Sequence, residues 1–312
     1  MEKDSYFFNM LRCPVSGERL HKNGDQLVSE KGEHKYKITK SGIPLFAEKC
    51  RSEEARIQEK HFAKIASKYF NNLNYQHTRE YMKYLDHEFI LNAGDAVFEN
   101  TAEICCGRGE ALQLFKNKIE YGIGVDISTS MIEEAKKQIP QDKFFFLQGD
   151  ATKLPIGDCL FDTVFIIGGI HHINNRKDLF SEIFRILKPG GRFCWREPAN
   201  DFFLWRLIRK LIYKISPTLN AETENPLLYK ETVRQLNKTG FKEKMWRTYG
   251  LLGYCVFMNS DVLIFNRLFR FLPGIRGLVR IMIKFDAWVV NLPGFLLSGS
   301  LVIGTAEKPV EA

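Results

Sequence analysis

Short apolar runs alternate with amphipathic stretches through the middle of the chain, and the change of period marks out its elements. Runs at 103–106, 122–125, 143–148, 161–167 and 192–195 are predicted strands, each bounded by turn residues. Between them, 110–118, 129–138 and 177–187 carry apolar residues at helical spacing. This alternation predicts an α/β fold: a doubly wound, Rossmann-like sheet with helices on both faces. Ligands of such sheets bind at the carboxyl ends of the strands, where the strand order reverses. Residues 105–109, Asp126, Asp150 and 168–172 all fall at those ends.

The flanks follow other patterns. Short β-type runs broken by glycine and proline predict a small β ribbon over 1–50. From 51 to 95 the pattern is helical, with Ile57, Phe62, Ile65 and Phe70 in one stripe and Asn92-Ala93-Gly94 as its stop. That unit is either a packing pair or a cap with Tyr69 or Tyr75 near the pocket. The α/β domain then occupies 96–312, with helical lid insertions at about 200–227 and 251–297. A helix at 228–241 and strands at 243–249 and 298–306 complete it.

Composition adds little about the fold and more about partners. The 312 residues are 45% hydrophobic and 26% charged, as in ordinary globular proteins. The net charge is +8, and 200–312 holds 16 basic residues against 9 acidic ones. A surplus gathered in the lid suggests an anionic partner. Arg206, Lys210 and Lys214 recur every fourth residue beside Leu204, Ile208, Leu211 and Ile215. Arg276, Arg280 and Lys284 repeat the spacing among Leu278, Ile281 and Met282. These helices suit either peripheral contact with an anionic membrane surface or a lid with an apolar inner and a solvated basic side. Both readings favour a bulky, apolar or lipid-linked acceptor. Seven irregularly spaced cysteines argue against a disulfide framework and for a reducing compartment, the cytoplasm. No secretory signal and no membrane-spanning helix are expected.

The stretch 102–109, AEICCGRG, combines a strand end, a glycine turn and a helix start. Glycine there lets the backbone approach a ligand where a side chain would clash. Asp126 lies 19 residues past Gly107, near the spacing of an acid that binds ribose hydroxyls. A dinucleotide fingerprint needs a third glycine at position 112, which is leucine. No P-loop lysine follows either, so the turn is not expected to hold a pyrophosphate.

EICCGRGE, GVDIS, QGDATKLP, FDTVFIIGGIHHI and RILKPGG occur in that order over about 102–197. Together they resemble the motifs of class I S-adenosylmethionine-dependent methyltransferases of the type 11 kind. The resemblance implies S-adenosylmethionine as cofactor and a seven-stranded sheet. It places Glu103, Cys105, Gly107 and Gly109 at the methionine end. Asp126 would take the ribose, with Ile127 also in contact. Asp150 would meet the adenine amino group, with Ala151 and Met131 near the ring, and Ile167 and Gly168 would lie near the sulfonium. Cys105 stands where the family usually has glycine. The CCG form looks like that of menaquinone-type methyltransferases, but GGIHHINN does not. The ribbon, in turn, resembles the Trm112-like zinc ribbon. Ser16, Ser29 and Gly32 occupy cysteine positions there, and Cys13 alone cannot build a four-ligand zinc site, so no metal is expected.

Methyl transfer from a sulfonium is an in-line displacement, aided by a general base when the acceptor is a hydroxyl or an acidic carbon. His171, His172 and Glu197 are the candidates, Glu197 also being suited to pair with Arg196 or to cap a turn. The expected function is methylation of a small lipid, isoprenoid, polyketide or saccharide acceptor. One alternative is an RNA methyltransferase, since ribbon and core occur in the order of a ribosomal RNA guanine methyltransferase. Leu, Ile and Val rather than regular aromatics between the basic residues make nucleic acid the weaker partner. The other alternative is a non-catalytic partner protein that keeps the cofactor fold.

Overall fold

The computed structural model describes residues 3–48, 53, 56, 57, 59, 74–94, 97–215, 224–258 and 264–310. The N-terminal unit comprises α1 (Lys3–Met10), β1 (Leu20–Asn23), β2 (Gln26–Ser29) and β3 (Lys35–Lys37). After α2 (Gln76–Ala93) come β4 (Phe98–Ile104), α3 (Glu110–Leu114), β5 (Ile119–Asp126), α4 (Thr129–Gln138) and β6 (Phe144–Gln148). β7 (Phe161–Ile167), α5 (Arg176–Ile186) and β8 (Leu187–Pro198) follow. The last third holds α6 (Phe203–Ile215), α7 (Tyr229–Thr239), β9 (Lys242–Tyr249), α8 (Leu252–Phe257), α9 (Ile275–Val289) and β10 (Leu301–Glu307). Of the expected helical stripe before α2, Phe62, Ile65 and Phe70 lie outside the described residues, as does Tyr69.

Seven strands form one sheet in the order β6-β5-β4-β7-β8-β10-β9. The first five are parallel, and β10 runs antiparallel to both β8 and β9. The pleat divides every strand between two cores. Val164 and Ile166 of β7 and Phe193 and Trp195 of β8 join one core with α5 and α7. Phe165 and Cys194 face the other, with α2, α3, α4 and α9. The chain winds outward from β4 in one direction and from β7 in the other. The crevice of this switch point therefore opens beyond Ile104 and Ile167.

Strand limits differ from expectation for local reasons. β4 starts at Phe98, five residues early, because Asn100 hides the run yet is satisfied inside. Its side chain accepts from the Tyr6 hydroxyl at 2.7 Å, and its N–H donates to Asp162 at 2.8 Å. The helix expected to reach 118 stops at Leu114, where Phe115 stacks on Phe165 with centroids 4.8 Å apart. The KPGG segment is absorbed into β8, whose pairing with β7 is irregular beside it.

The N-terminal unit is a three-stranded antiparallel sheet that shares a core with the domain through Phe7, Leu11, Leu27, Tyr36 and Phe46. Phe7 stacks on Phe145 at 5.3 Å. Its last loop covers the edge strand β6, since Gln148 N–H donates to Pro44 O and Phe46 N–H to Gln148 O. The Cys13 thiol is engaged internally with the Tyr36 hydroxyl at 3.1 Å. No described helix is long and apolar enough to cross a membrane.

Candidate active site

The site is built at the switch point from the turn after β4. Cys105, Gly107 and Gly109 all have positive φ, +55°, +51° and +74°. Glycine is the natural choice for such backbone, and Cys105 adopts it with a side chain in place. A Cβ on Gly109 would stand 2.3 Å from Ile139 Cδ1, so the turn also depends on that hydrogen. Glu103 is buried beneath the turn. Its two oxygens accept from the N–H groups of Ala111 and Leu112 at 2.9 and 3.0 Å and so cap α3. Burial pushes its carboxyl up to about 8, against the pull of those two donors. Glu103, expected at the methionine end, lies beneath the turn and uses one hydrogen bond to each oxygen to hold it.

Asp126 ends β5 and ties the turn to it. Its oxygens accept from Gly107 N–H and Ser128 N–H, each at 2.8 Å. Burial raises its carboxyl, opposed by these peptide donors. Ile127 is half-buried beside it, and Met131 Cε lies 3.4 Å from where a Gly107 Cβ would be. Asp150, after β6, accepts from the Thr152 N–H at 2.9 Å and its hydroxyl at 2.7 Å. Ala151 is buried next to it. Ile167 is half-buried and Gly168 is exposed, with nothing within 4 Å of its missing Cβ. The sequence-derived residues thus gather on the ends of four neighbouring strands.

The turn after β7 is held from below. Glu197 of β8 is completely buried and accepts four hydrogen bonds. Gly169 N–H and Ile170 N–H reach Oε1 at 2.7 and 2.9 Å. His171 N–H reaches Oε2 at 3.3 Å, and His171 Nδ1 lies 2.7 Å from the same oxygen. Glu197 is therefore corrected from candidate base to positioning residue, because every acceptor position is used inside the fold. It does not pair with Arg196. Successive strand residues face opposite sides, and Arg196 reaches Asp86 of α2 at 2.7 Å and Glu110 of α3 at 3.6 Å.

His171 is buried and fixed at Nδ1, which directs Nε2 towards Glu224 Oε2 at 4.0 Å. The His172 ring lies against it, tilted by 40° with centroids 3.9 Å apart. His171, His172 and Glu224 form a compact polar group with ligand atoms within 4.8 Å of one another. An ion bonded at about 2.1 Å holds tetrahedral ligands roughly 3.4 Å apart, so the 4.0 Å pair would have to contract around a metal.

Three participants escaped the sequence reading. Gly169 packs directly on Cys105, for its Cβ would stand 2.4 Å from the Cys105 Cβ. The Gly168-Gly169 doublet was the available signal. Asn225 N–H donates to His171 O at 2.8 Å and ties the segment carrying Glu224 over the histidines, without any local signature. Asp286, the lone acid of a basic, apolar helix, caps α8. It accepts from the N–H groups of Leu252, Gly253 and Tyr254 at 2.9 to 3.2 Å and from the Tyr81 hydroxyl at 2.7 Å. Burial and the neighbouring carboxylate push the Tyr81 hydroxyl far above its ordinary range, so it acts as a fixed donor.

A methyltransferase-domain family model matches residues 102–195. The chain is 31% identical over 180 residues to the demethylmenaquinone methyltransferase of Leptospira interrogans, covering 51% of this chain and 72% of that protein. Its fold is similar to a chain of the complex between the Haloferax volcanii Trm112 methyltransferase activator and a methyltransferase. That match has a TM-score of 0.53 and 17% identity, and covers 83% of this chain and 99% of the other. A Galdieria sulphuraria protein described as a sarcosine dimethylglycine methyltransferase matches with a TM-score of 0.55 and 12% identity, covering 75% and 88%. Sheet order, glycine turn and a relative at this identity and coverage together establish that the chain belongs to the class I S-adenosylmethionine-dependent methyltransferases.

Proposed function

We propose that this methyltransferase acts on a hydroxyl or acidic carbon of an apolar, lipid-linked small molecule, with His171 as general base oriented by Glu197. The observation that carries the reading is the buried Glu197–His171 pair at the carboxyl end of β7, against the glycine turn of β4. The curated relative named for demethylmenaquinone supports an acceptor of quinone type with an apolar tail.

The residues present fit S-adenosylmethionine. Carboxylates end β5 and β6, as a ribose diol and an adenine amino group require. The surface over Gly168 is open where a ligand must approach the backbone. Asp126 uses one lone pair of each oxygen on Gly107 and Ser128, which leaves the others for hydroxyl donors. Asp150 is the adenine-side acceptor, with Ala151, Ile127 and Met131 as apolar neighbours. When bound, the cofactor supplies a methyl group activated by its sulfonium.

The chain's own work is orientation and proton removal. Glu197 receives three peptide N–H groups, so it acts as acceptor towards Nδ1–H of His171. That tautomer leaves the Nε2 lone pair unprotonated on the Glu224 side, able to take the acceptor's proton. His172 and Glu224 supply the polar wall around it, and the lid anchored by Asp286 excludes water.

The test is mass spectrometry of a lipid extract incubated with the protein and deuteromethyl-labelled cofactor. A labelled product in the lipid fraction that disappears with His171→Gln is expected. Label confined to water-soluble products or RNA, or full turnover by His171→Gln across pH, refutes the reading.

A further inference from the structure

The outer surface of the lid is apolar in a way the methyl-transfer site does not require. α9 carries two apolar faces. Ile275, Val279 and Val289 are buried with Asp286 on the side facing α2 and α8. Leu278, Ile281, Phe285 and Trp288 are 41–64% exposed and recur at spacings of three and four, which makes one outward stripe. A helix on a globular surface needs only the inner stripe.

α6 repeats the arrangement. Phe203, Leu207 and Leu211 recur every fourth residue and are all exposed. Trp205 and Arg209 turn inward instead, Trp205 donating to Ser298 O at 2.7 Å and Arg209 to Ala199 O and Ser300 O. The loop between α9 and β10 joins the two helices, with exposed Phe295 and Leu296 and the Phe295 ring 6.3 Å from that of Phe202. The 3-10 turns at Ile264–Phe271 add exposed Leu268 and Phe271.

Charge selects the occupant. α6, Ile264–Phe271 and α9 together hold nine basic residues and one acid, Asp286, which is buried. Arg206, Lys210 and Lys214 flank the α6 stripe, Lys284 borders that of α9 beside Trp288, and Arg276 and Arg280 lie further round that helix. Arg280 is also held by Glu80 of α2. Cores of protein interfaces are depleted in lysine. Apolar stripes with Trp and Phe, flanked by Lys and Arg, match the boundary between acyl chains and anionic headgroups.

We infer that this lid face lies on an anionic lipid bilayer as an interfacial, non-spanning contact. The contact rests on exposure and charge and does not depend on which acceptor is methylated.

Flotation of the full chain with vesicles tests it. One set is phosphatidylcholine alone and the other contains one third phosphatidylglycerol. The protein is expected to float with the anionic set only and to be partly released by high salt. Ile281→Glu with Trp288→Glu should lower the bound fraction at least ten-fold, on the order expected for charges placed at the interface. Lys210→Gln, Lys214→Gln and Lys284→Gln should each lower it roughly five-fold. The glutamine variants keep the test open should the double glutamate variant misfold. Wild-type protein that stays unbound on anionic vesicles overturns the inference. So does equal flotation on both sets, or a solution dimer that the double variant makes monomeric. S-adenosylmethionine titration of the same preparations separates this outcome from failure of the methyltransferase reading.

Discussion

Glu197→Gln tests the central geometry. The carboxylate takes Gly169 and Ile170 N–H at 2.7 and 2.9 Å on one oxygen, and His171 N–H at 3.3 Å with Nδ1 at 2.7 Å on the other. An amide offers one acceptor oxygen. Placed on the stronger peptide pair, it leaves its NH2 against the His171 N–H and ring. The ring then accepts at Nδ1 and carries its proton on Nε2, so it can no longer act as a base. Losing one charge-assisted buried bond costs about 2 kcal/mol. At about 2.1 cal/mol/K per residue, the 312 residues turn that into a melting shift of only about 3 °C. The wrong tautomer removes general-base catalysis, ~10²–10⁴ in turnover, or about 3–5 kcal/mol of barrier. The assay is labelled methyl transfer at saturating cofactor, with cofactor affinity and melting temperature measured alongside. His171→Ala should lose as much, and the double variant little more, because the two act as a unit. Turnover within a few-fold of wild type, with the melting shift present, refutes the pairing as a catalytic device.

Three further outcomes follow from the same contacts. Gly169→Ala brings its Cβ to 2.4 Å from the Cys105 Cβ and should destabilise by about 1–3 kcal/mol. In a Cys105→Gly background the same change should be tolerated better, and equal melting losses in both backgrounds would deny the contact. Glu103 titrates near 8 when folded, so the folded chain holds that proton more tightly than the unfolded one. Its contribution is complete below the ordinary 4.5 and is lost as pH rises through about 8, on the order of 5 kcal/mol at most. Urea midpoints should fall less steeply between about pH 5 and about pH 9 in Glu103→Gln than in wild type, and parallel slopes would contradict this. Asp286→Ala strands three N–H groups and the Tyr81 hydroxyl, at about 3 kcal/mol. Hydrogen exchange should speed up in α8 and α9 but not in β4 or β7, and uniform change across the chain would count against a local anchor.

What could be read from the chain alone was governed by short-range chemistry. The β–α alternation, the glycine turn at 105–109 and the acids at 126 and 150 each depend on residues within one turn or strand. A left-handed turn leaves its mark as glycine, and a strand end as a run that stops. Leu112 was enough to dismiss a dinucleotide. The paired basic and apolar spacings of 206–214 and 276–284 were equally local, so these two helices were visible in outline. The tertiary structure decided what each polar group does. Glu197 and His171 are 26 residues apart, and their meeting depends on which way the pleat of β8 points at the end of β7. The same phase sends Arg196 to the opposite face, an outcome no local pattern carries. Glu103 and Asp286 became caps because a buried carboxylate must find donors, and the nearest unsatisfied ones were helix N–H groups brought close by packing. Whether a helix with two apolar faces buries one or both is likewise settled by its neighbours. α9 has a partner on the Val279 side and none among the described residues on the Ile281 side, and that difference, invisible in the periodicity, is what exposes its outer stripe.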